Sequence, residues 1–246
     1  MNISDMGAAP EIYAVQNTKL TGVALNGVTF DPTGPYWENG TGDYWKNPPN
    51  PWTFEVMSAK VRSYLGLDNN NAHLQPNGEY HYHGMPHGLI NLMGGMAAMR
   101  NPKSPVLIGW AADKHPIYYP VAPKDPWNPF SQLVEIRASY RLRVGNRPNG
   151  PGGEHDGTMV EDYAYIAGFG VLDDTNGRWG VTPEFPTGTY HYFITHSFPF
   201  VPRAWRGEPH ESFYHPHPGK GQDRVLPPAL FGYRGEVKEN LQRRGK

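Results

Sequence analysis

Short stretches in which apolar and polar side chains alternate recur along the chain, and this pattern is typical of half-buried β-strands. The clearest lie between Ala138 and Val144 and between Tyr163 and Leu172, where β-branched and aromatic residues alternate with polar or small ones. The segment 145–157 between them is rich in glycine and proline and predicts a long loop. We therefore expect a mainly β fold, a single domain of short antiparallel strands with long loops.

Apolar residues spaced three or four positions apart, which predict helix, occur only in short segments. The segment from Phe54 to Leu65 has this spacing and is followed by Gly66, a residue type that often ends helices. A methionine stripe has similar spacing, at Met93, Met96 and Met99. Thioether sulfur atoms can bind copper, but such a stripe is more typical of core packing. One or two short helices are expected.

Two distant segments of the chain resemble each other. Pro76-Asn-Gly-Glu-Tyr-His-Tyr-His83 and Pro186-Thr-Gly-Thr-Tyr-His-Tyr-Phe193 share Pro, Gly, Tyr, His and Tyr in the same places. Upstream of each motif, Leu67-Asp-Asn-Asn-Asn71 resembles Leu172-Asp-Asp-Thr-Asn176. We infer an internal duplication, with halves at about residues 20–125 and about residues 126–215.

Composition narrows the classes of partner. Charged residues make up 18% of the 246 residues and the formal net charge is −1, so the electrostatic attraction that drives binding to nucleic acids or anionic membranes is missing. No stretch approaches the roughly 20 apolar residues that span a bilayer. We expect neither a nucleic-acid partner nor a membrane partner, whereas a small-molecule or polysaccharide ligand stays open.

The chain has no cysteine. This excludes disulfides, thiolate metal sites and a cysteine nucleophile, so any metal site must use His, Asp, Glu or Tyr. Residues 1–11 lack the basic and apolar segments of a signal peptide. Abundant Gly, Pro and Tyr with few charges is typical of extracellular β proteins, and on that composition we expect an extracellular or periplasmic location.

Histidines stand out in the two repeated motifs. Alternate residues of a strand face the same side, so His81 and His83 should project together and could bind one metal ion. His191 occupies the place of His81 in the second motif, and it could complete a site if the two copies meet; His73 could supply a further ligand. Three imidazoles with an open position suit copper or zinc, and less readily iron. The alternative is an aromatic and histidine-rich sheet surface whose imidazoles are satisfied by carbonyl or carboxylate groups.

Several acidic and phenolic side chains could assist such a metal. The candidates for proton transfer are Asp113, Tyr118 and Glu161. Asp68 and Asp173 in the repeated turns could orient the imidazoles, or equally well cap Asx turns. Calcium is not excluded, because Asp156, Glu161 and Asp162 lie close in sequence, although they form no EF-hand pattern.

The segment Asn71-Ala-His-Leu-Gln-Pro-Asn-Gly-Glu-Tyr-His-Tyr-His-Gly84 resembles the signature of the YHYH-domain proteins, a largely uncharacterised and often secreted family. Further likeness, including Leu107-Ile-Gly-Trp-Ala-Ala-Asp113 and Thr182-Pro-Glu-Phe-Pro186, extends from about Gly22 to Phe213, so we treat residues 1–246 as one YHYH-type β domain. The family commonly has Cys where Thr175 and Ala204 stand here, which implies a disulfide that this chain lacks. The resemblance implies a secreted fold with a histidine-centred site and supplies no established activity.

Two functions follow from these observations. The first is a metal-binding β protein whose histidine-bound ion activates water or oxygen, which would make it a metalloenzyme. The second is a noncatalytic extracellular module that binds metal, carbohydrate or matrix. Metal ligation alone does not distinguish them, so the sequence leaves catalysis open.

Overall fold

The computed structural model describes residues 13–14, 20–35, 37, 52–75, 77–94, 102 and 104–213. The strands of the first part are β1 (Tyr13–Ala14), β2 (Gly22–Ala24), β3 (Thr29–Phe30), β4 (Ala72–Leu74) and β5 (Tyr80–Tyr82). Those that follow are β6 (Leu107–Ala111), β7 (Pro116–Tyr118), β8 (Val121–Pro123), β9 (Leu133–Glu135), β10 (Tyr140–Leu142), β11 (Tyr163–Tyr165), β12 (Gly177–Gly180), β13 (Thr189–Phe193) and β14 (Ala204–Trp205). The helices are α1 (Ala59–Leu65) and α2 (His87–Leu92), and short 3-10 turns cover Val160–Asp162 and Glu211–Phe213.

Eight of these strands form one sheet in the order β12-β13-β7-β6-β2-β3-β5-β4. Smaller sheets pair β1 with β14, β8 with β9 and β10 with β11. The prediction of a mainly β fold is confirmed. The large sheet is mixed rather than wholly antiparallel, because β3 pairs with β5 and β7 pairs with β13 in parallel. Alternation of side chains does not specify strand direction, so the sequence pattern could not reveal these pairs.

The sheet contains two copies of one four-strand unit. The first repeat consists of β2 to β5. Across the sheet, β2 and β3 form a hairpin, β5 pairs in parallel with β3, and β4 pairs with the outer side of β5. The second repeat, β6, β7, β12 and β13, has the same arrangement. The central strands β2 and β6 are antiparallel, so a pseudo-twofold axis lies between them. The repeats divide between β5 and β6, earlier in the chain than expected, because the β6–β7 hairpin is the counterpart of β2–β3.

The turns preceding β4 and β12 have the same hydrogen bonds. The carboxylate of Asp68 accepts hydrogen bonds from the backbone amides of Asn70 and Ala72. It also accepts one from the hydroxyl of Tyr80 in β5. The second repeat reproduces all three contacts around Asp173. These local bonds explain why the same Asp-to-Asn spacing precedes both strands.

The two faces of the sheet are covered differently. Tyr82, Tyr190 and Tyr192 lie on one face and are buried in the main hydrophobic core, with residues such as Ile90 and Trp205. Because side chains alternate along a strand, the histidines between and after these tyrosines lie on the opposite face. The repeated tyrosines therefore anchor both motifs in the core and leave the histidine face for other contacts.

The helical predictions are met in part. Helix α1 begins at Ala59, later than the apolar spacing suggests, and ends where predicted, with Gly66 in the left-handed region at φ 68°. Met96 and Met99 lie outside the described residues. The predicted strands near Ala138 and Tyr163 are present as the shorter pair β10 and β11. In the described part of the chain, no helix is both long and apolar enough to cross a membrane.

Candidate metal centre

The YHYH strand and its neighbour bring three histidines to the outer end of the first repeat. His73 in β4 lies directly opposite His81 in β5, so the two side chains share one face of the sheet. His83 follows β5 and projects to the same side as His81, as the sequence predicted. His81 and His83 are 1% and 5% exposed, whereas His73 is half-buried because β4 is the edge strand.

The three imidazoles converge. Their ring centroids are 4.7 Å apart for His73 and His81, 5.2 Å for His73 and His83, and 4.6 Å for His81 and His83. The Nε2 atoms of His81 and His83 are 2.9 Å apart. One ring nitrogen from each histidine lies within 4.8 Å of the others. Two nitrogen ligands about 2.0–2.1 Å from one ion lie at most about 4.2 Å apart, so small rotations of these side chains would bring the three nitrogens to ligand distances.

A backbone carbonyl group holds the outer nitrogen of the His81 ring. Nδ1 of His81 lies 3.3 Å from the carbonyl oxygen of Glu79, which directs Nε2 toward the cluster. The backbone of Leu65, the last residue of α1, acts to raise the pKa of His73. Histidines that bind metals usually donate their second N–H to a carbonyl or carboxylate in this way. The backbone of the YHYH strand therefore orients the His81 ring for ligation.

His83 is held differently. Its Nδ1 is buried and has no hydrogen-bond partner of good geometry. Burial and the neighbouring His81 lower the pKa of His83 well below its usual value, while the carboxylate and backbone of Asp31 act in the opposite direction. Burial and His81 likewise lower the pKa of His73 to about 4. Both rings are therefore neutral at neutral pH, the form in which imidazole binds a metal.

Asp31 is a part of this site that the sequence did not reveal. It follows β3, the strand that pairs in parallel with β5, and it is buried. Its carboxylate raises the pKa of His73 and His83 and accepts hydrogen bonds from Thr33 and Gln75. A buried negative charge here would offset part of the charge of a bound cation. The parallel pairing that brings Asp31 to the site has no local sequence signal.

His191 lies far from this cluster. It is the counterpart of His81 in β13, but four strands of the sheet separate β13 from β5. The expected approach of His191 to His81 and His83 is not found, because the pseudo-twofold axis lies at the centre of the sheet and the motif strands lie toward its ends. His191 instead contacts the ring of Tyr118, with a centroid distance of 5.5 Å.

The proposed proton-transfer residues are dispersed as well. Asp113 accepts hydrogen bonds from the hydroxyl of Tyr192 at 2.6 Å and the amide of Gly207 at 3.0 Å, in the core on the tyrosine face. Tyr118 donates to Glu184 at 2.6 Å in the second repeat, and burial together with this carboxylate raises its pKa. The structure brings neither residue to the three-histidine cluster.

Glu161 also lies apart from the cluster. Its carboxylate accepts hydrogen bonds from the amide and the hydroxyl of Thr53, both at 2.8 Å, and burial raises its pKa. Asp156 and Asp162, its neighbours in the calcium hypothesis, are instead bridged by the guanidinium of Arg147. Among the described residues, the three histidines are the group of His, Asp and Glu side chains arranged to hold an ion.

Asp68 and Asp173 have the turn-stabilising role that was one of the two expected. Their carboxylates accept hydrogen bonds from backbone amides of the turn and from the hydroxyl of Tyr80 or Tyr190. The His81 imidazole is oriented by a backbone carbonyl instead. Asx-turn capping therefore accounts for the repeated aspartates.

Comparison with known proteins identifies a family. A family model described as YHYH protein matches residues 6–207. No curated protein and no solved structure matches the chain. The matched region includes all three histidines of the cluster, together with both repeats.

Proposed function

The chain belongs to the YHYH protein family, and we propose that it binds one copper or zinc ion through His73, His81 and His83. The observation that carries the proposal is the convergence of one nitrogen from each ring within 4.8 Å. Two further features support it: the pKa of His73 and of His83 is lowered, and the ring of His81 is tethered to a carbonyl group. Imidazoles that are already neutral and oriented need little free energy for deprotonation or ordering when they bind a metal.

We propose further that the ion keeps an open coordination position. Structural zinc sites use four protein ligands, whereas catalytic sites use three and leave one position for water or substrate. The group formed by the described residues has three ligands. His73 lies on the edge strand and is half-buried, which gives a small molecule a route to the ion. An ion held in this way supplies a Lewis acid that lowers the pKa of a bound water, or in the case of copper a redox centre toward oxygen.

Electron paramagnetic resonance of the Cu(II)-loaded protein tests the ligand set. We expect superhyperfine splitting from three nitrogen nuclei, reduced to two in His73→Ala. His210→Ala is the control, because His210 is exposed and hydrogen-bonds to Ser212 rather than to the cluster. A wild-type spectrum with no nitrogen splitting, or one that His73→Ala leaves unchanged, would contradict the proposed ligands.

The open position has a separate test. Azide added to the Cu(II) protein should change the spectrum in a saturable manner, because azide occupies a vacant or water-filled position. A spectrum that azide does not change would show a closed site and would favour the noncatalytic role. The three-nitrogen assignment would survive that result, so the two parts of the proposal can fail independently.

We also propose that the protein works outside the cytoplasm, in an extracellular or periplasmic compartment. The support is compositional: few charges, and abundant glycine, proline and tyrosine. Fractionation of the native host, with antibody detection in the cytoplasmic, periplasmic and secreted fractions, tests the location. Recovery in the cytoplasm alone would contradict it.

A further inference from the structure

The second repeat has a modified copy of the histidine cluster. Arg178 in β12 lies directly opposite His191, as His73 lies opposite His81. Phe193 stands where His83 stands in the first motif. The guanidinium of Arg178 lies 5.5 Å from the ring centre of Phe193, and the His191 and Phe193 rings are 5.2 Å apart. Two of three potential metal ligands are thus replaced, one of them by a cation, so this position does not suit a metal ion.

Arg178 has unused hydrogen-bond donors. One Nη atom donates to the carbonyl of Pro123 at 2.8 Å, while Nε is buried and has no hydrogen-bond partner. Burial lowers the pKa of Arg178 to about 10, and Asp125 acts against this effect from a distance. Within the described residues, no carboxylate forms an ion pair with this guanidinium. A partly buried cation in this state gains free energy from an anionic ligand.

His191 offers the complementary group. It is 2% exposed, and its Nδ1 lies 3.2 Å from the carbonyl oxygen of Thr189, the same arrangement as His81 and Glu79. Burial, followed by the positive charge of Arg178, lowers its pKa to about 4, although the Thr189 carbonyl opposes this shift. The ring is therefore neutral with its proton on Nδ1, and Nε2 accepts rather than donates a hydrogen bond.

A groove of about 190 Å³ lies one residue away from this pair, with Pro123, Val181, Thr182 and Pro183 in its wall. The carbonyl of Pro123 accepts the hydrogen bond of Arg178, and the hydroxyl of Thr182 bonds to that of Tyr118, which contacts His191. We propose that Arg178 and His191 bind a small oxyanion that also carries a hydroxyl group, such as hydrogen phosphate or a hydroxycarboxylate. The arginine receives the anionic oxygen, and Nε2 of His191 accepts the hydroxyl proton.

Titration with inorganic phosphate, followed by NMR of the arginine Nε–H signals, tests the site. The Arg178 signal, assigned by its loss in Arg178→Lys, should shift in a saturable manner with phosphate. Sulfate, which has no proton at neutral pH, should bind several-fold more weakly, because it leaves Nε2 of His191 facing an acceptor. Arg141 is the internal control, since its guanidinium also lies over an aromatic ring, that of Phe169, but is exposed.

Calorimetry of variants gives the second readout. Arg178→Lys keeps the charge but loses the planar guanidinium group, and His191→Gln retains a polar side chain. Both variants should bind phosphate several-fold more weakly than wild type. Arg141→Lys should bind it as tightly as wild type. His81→Ala/His83→Ala should bind phosphate normally, which separates this site from any phosphate held by the proposed metal. An Arg178 signal unmoved at saturating phosphate, equal binding of sulfate, or undiminished binding by folded Arg178→Lys would overturn the proposal.

Discussion

The imidazoles of His73, His81 and His83 show how a candidate site arises from single residues in a local backbone. The His81–His83 pair follows from alternation along one strand, and the sequence alone predicts it. His73 was recognisable as a nearby histidine, but its contact with His81 depends on the β4–β5 register. Asp31 was not recognisable, because a parallel pair between distant segments brings it to the cluster.

Arg147 and Asp162 form an ion pair in which both side chains are largely buried. Asp162 is completely buried and receives Nε and Nη2 of Arg147 at 2.7 and 2.6 Å. Arg147→Met should lower the free energy of unfolding by about 3–5 kcal/mol, since it leaves a buried carboxylate without its cation. Denaturant unfolding measures this free energy, and Lys60→Met is the control. Lys60 pairs with Asp156 at the surface, so its substitution should lower the free energy of unfolding by at most about 1 kcal/mol. Equal effects of the two substitutions would contradict the account.

Asp156 should make stability depend on pH in the acid range. Burial acts to raise its pKa, but hydrogen bonds from Thr158 and the charge of Arg147 outweigh it and lower the pKa to about 2. An unfolded aspartate titrates near pH ~3.9, so the stabilisation is complete above that pH and is lost as the pH falls through about 2. The stability difference between wild type and Asp156→Asn should therefore be greatest above pH ~4 and narrow below it. A difference that widens on acidification would contradict this.

The repeated turns are the elements that determine where β4 and β12 begin. Asn71 and Asn176 end them in the left-handed region, at φ 57° and 63°. Asn176 also donates a hydrogen bond to the carbonyl of Phe193 at 2.8 Å, which joins the turn to the motif strand β13. The Asp-to-Asn spacing was visible in the sequence because asparagine tolerates this conformation and forms local hydrogen bonds.

Substitution of Asn176 separates these two contributions. Asn176→Ala should lower the free energy of unfolding by about 2–4 kcal/mol, because it loses the hydrogen bond and strains the backbone. Asn176→Gly loses the hydrogen bond but accommodates the positive φ, so it should be about 1 kcal/mol more stable than the alanine variant. Urea unfolding of both variants provides the measurement. An alanine variant as stable as the glycine variant would show that backbone conformation does not matter at this turn.

At the level of strands and helices, the sequence predicted which elements form better than it predicted where each one begins and ends. The alternating segments near Ala138 and Tyr163 are strands, but each is three residues long, since bends and loop contacts interrupt the pattern on either side. The end of α1 was predictable because Gly66 is a local signal, whereas its start was not. The parallel pairings were not predictable, because they depend on how the crossover segments pack.

At the scale of the whole molecule, the large sheet consists of two similar four-strand units. Sequence similarity identified equivalent positions in the two motifs, but equivalent positions need not lie close together. The pseudo-twofold axis passes between β2 and β6, and His81 and His191 lie on opposite sides of it. This symmetry explains both the three-histidine cluster in the first repeat and the Arg178–His191 pair in the second. The same strand arrangement thus carries two chemically different groups of side chains.

Introducing histidines into the second repeat tests whether its positions are equivalent to those of the three-histidine cluster. Arg178→His/Phe193→His recreates the arrangement of the first repeat around His191, so the variant should bind a second equivalent of zinc. Calorimetric titration with zinc measures the stoichiometry, and Arg178→Gln/Phe193→Leu is the control that changes the same positions without adding ligands. A folded variant that still binds a single equivalent would contradict the equivalence of the two positions.

The most direct test of the central claim is the metal content of protein purified without a chelator or a histidine tag. The comparison is among wild type, His81→Ala/His83→Ala and His191→Ala. His191 is the matched control, because it is a buried histidine at the equivalent strand position. We predict stoichiometric copper or zinc in wild type and in His191→Ala, and none in the double variant. Wild-type protein that holds no metal even after reconstitution, or metal that persists in the double variant, would contradict the proposed site.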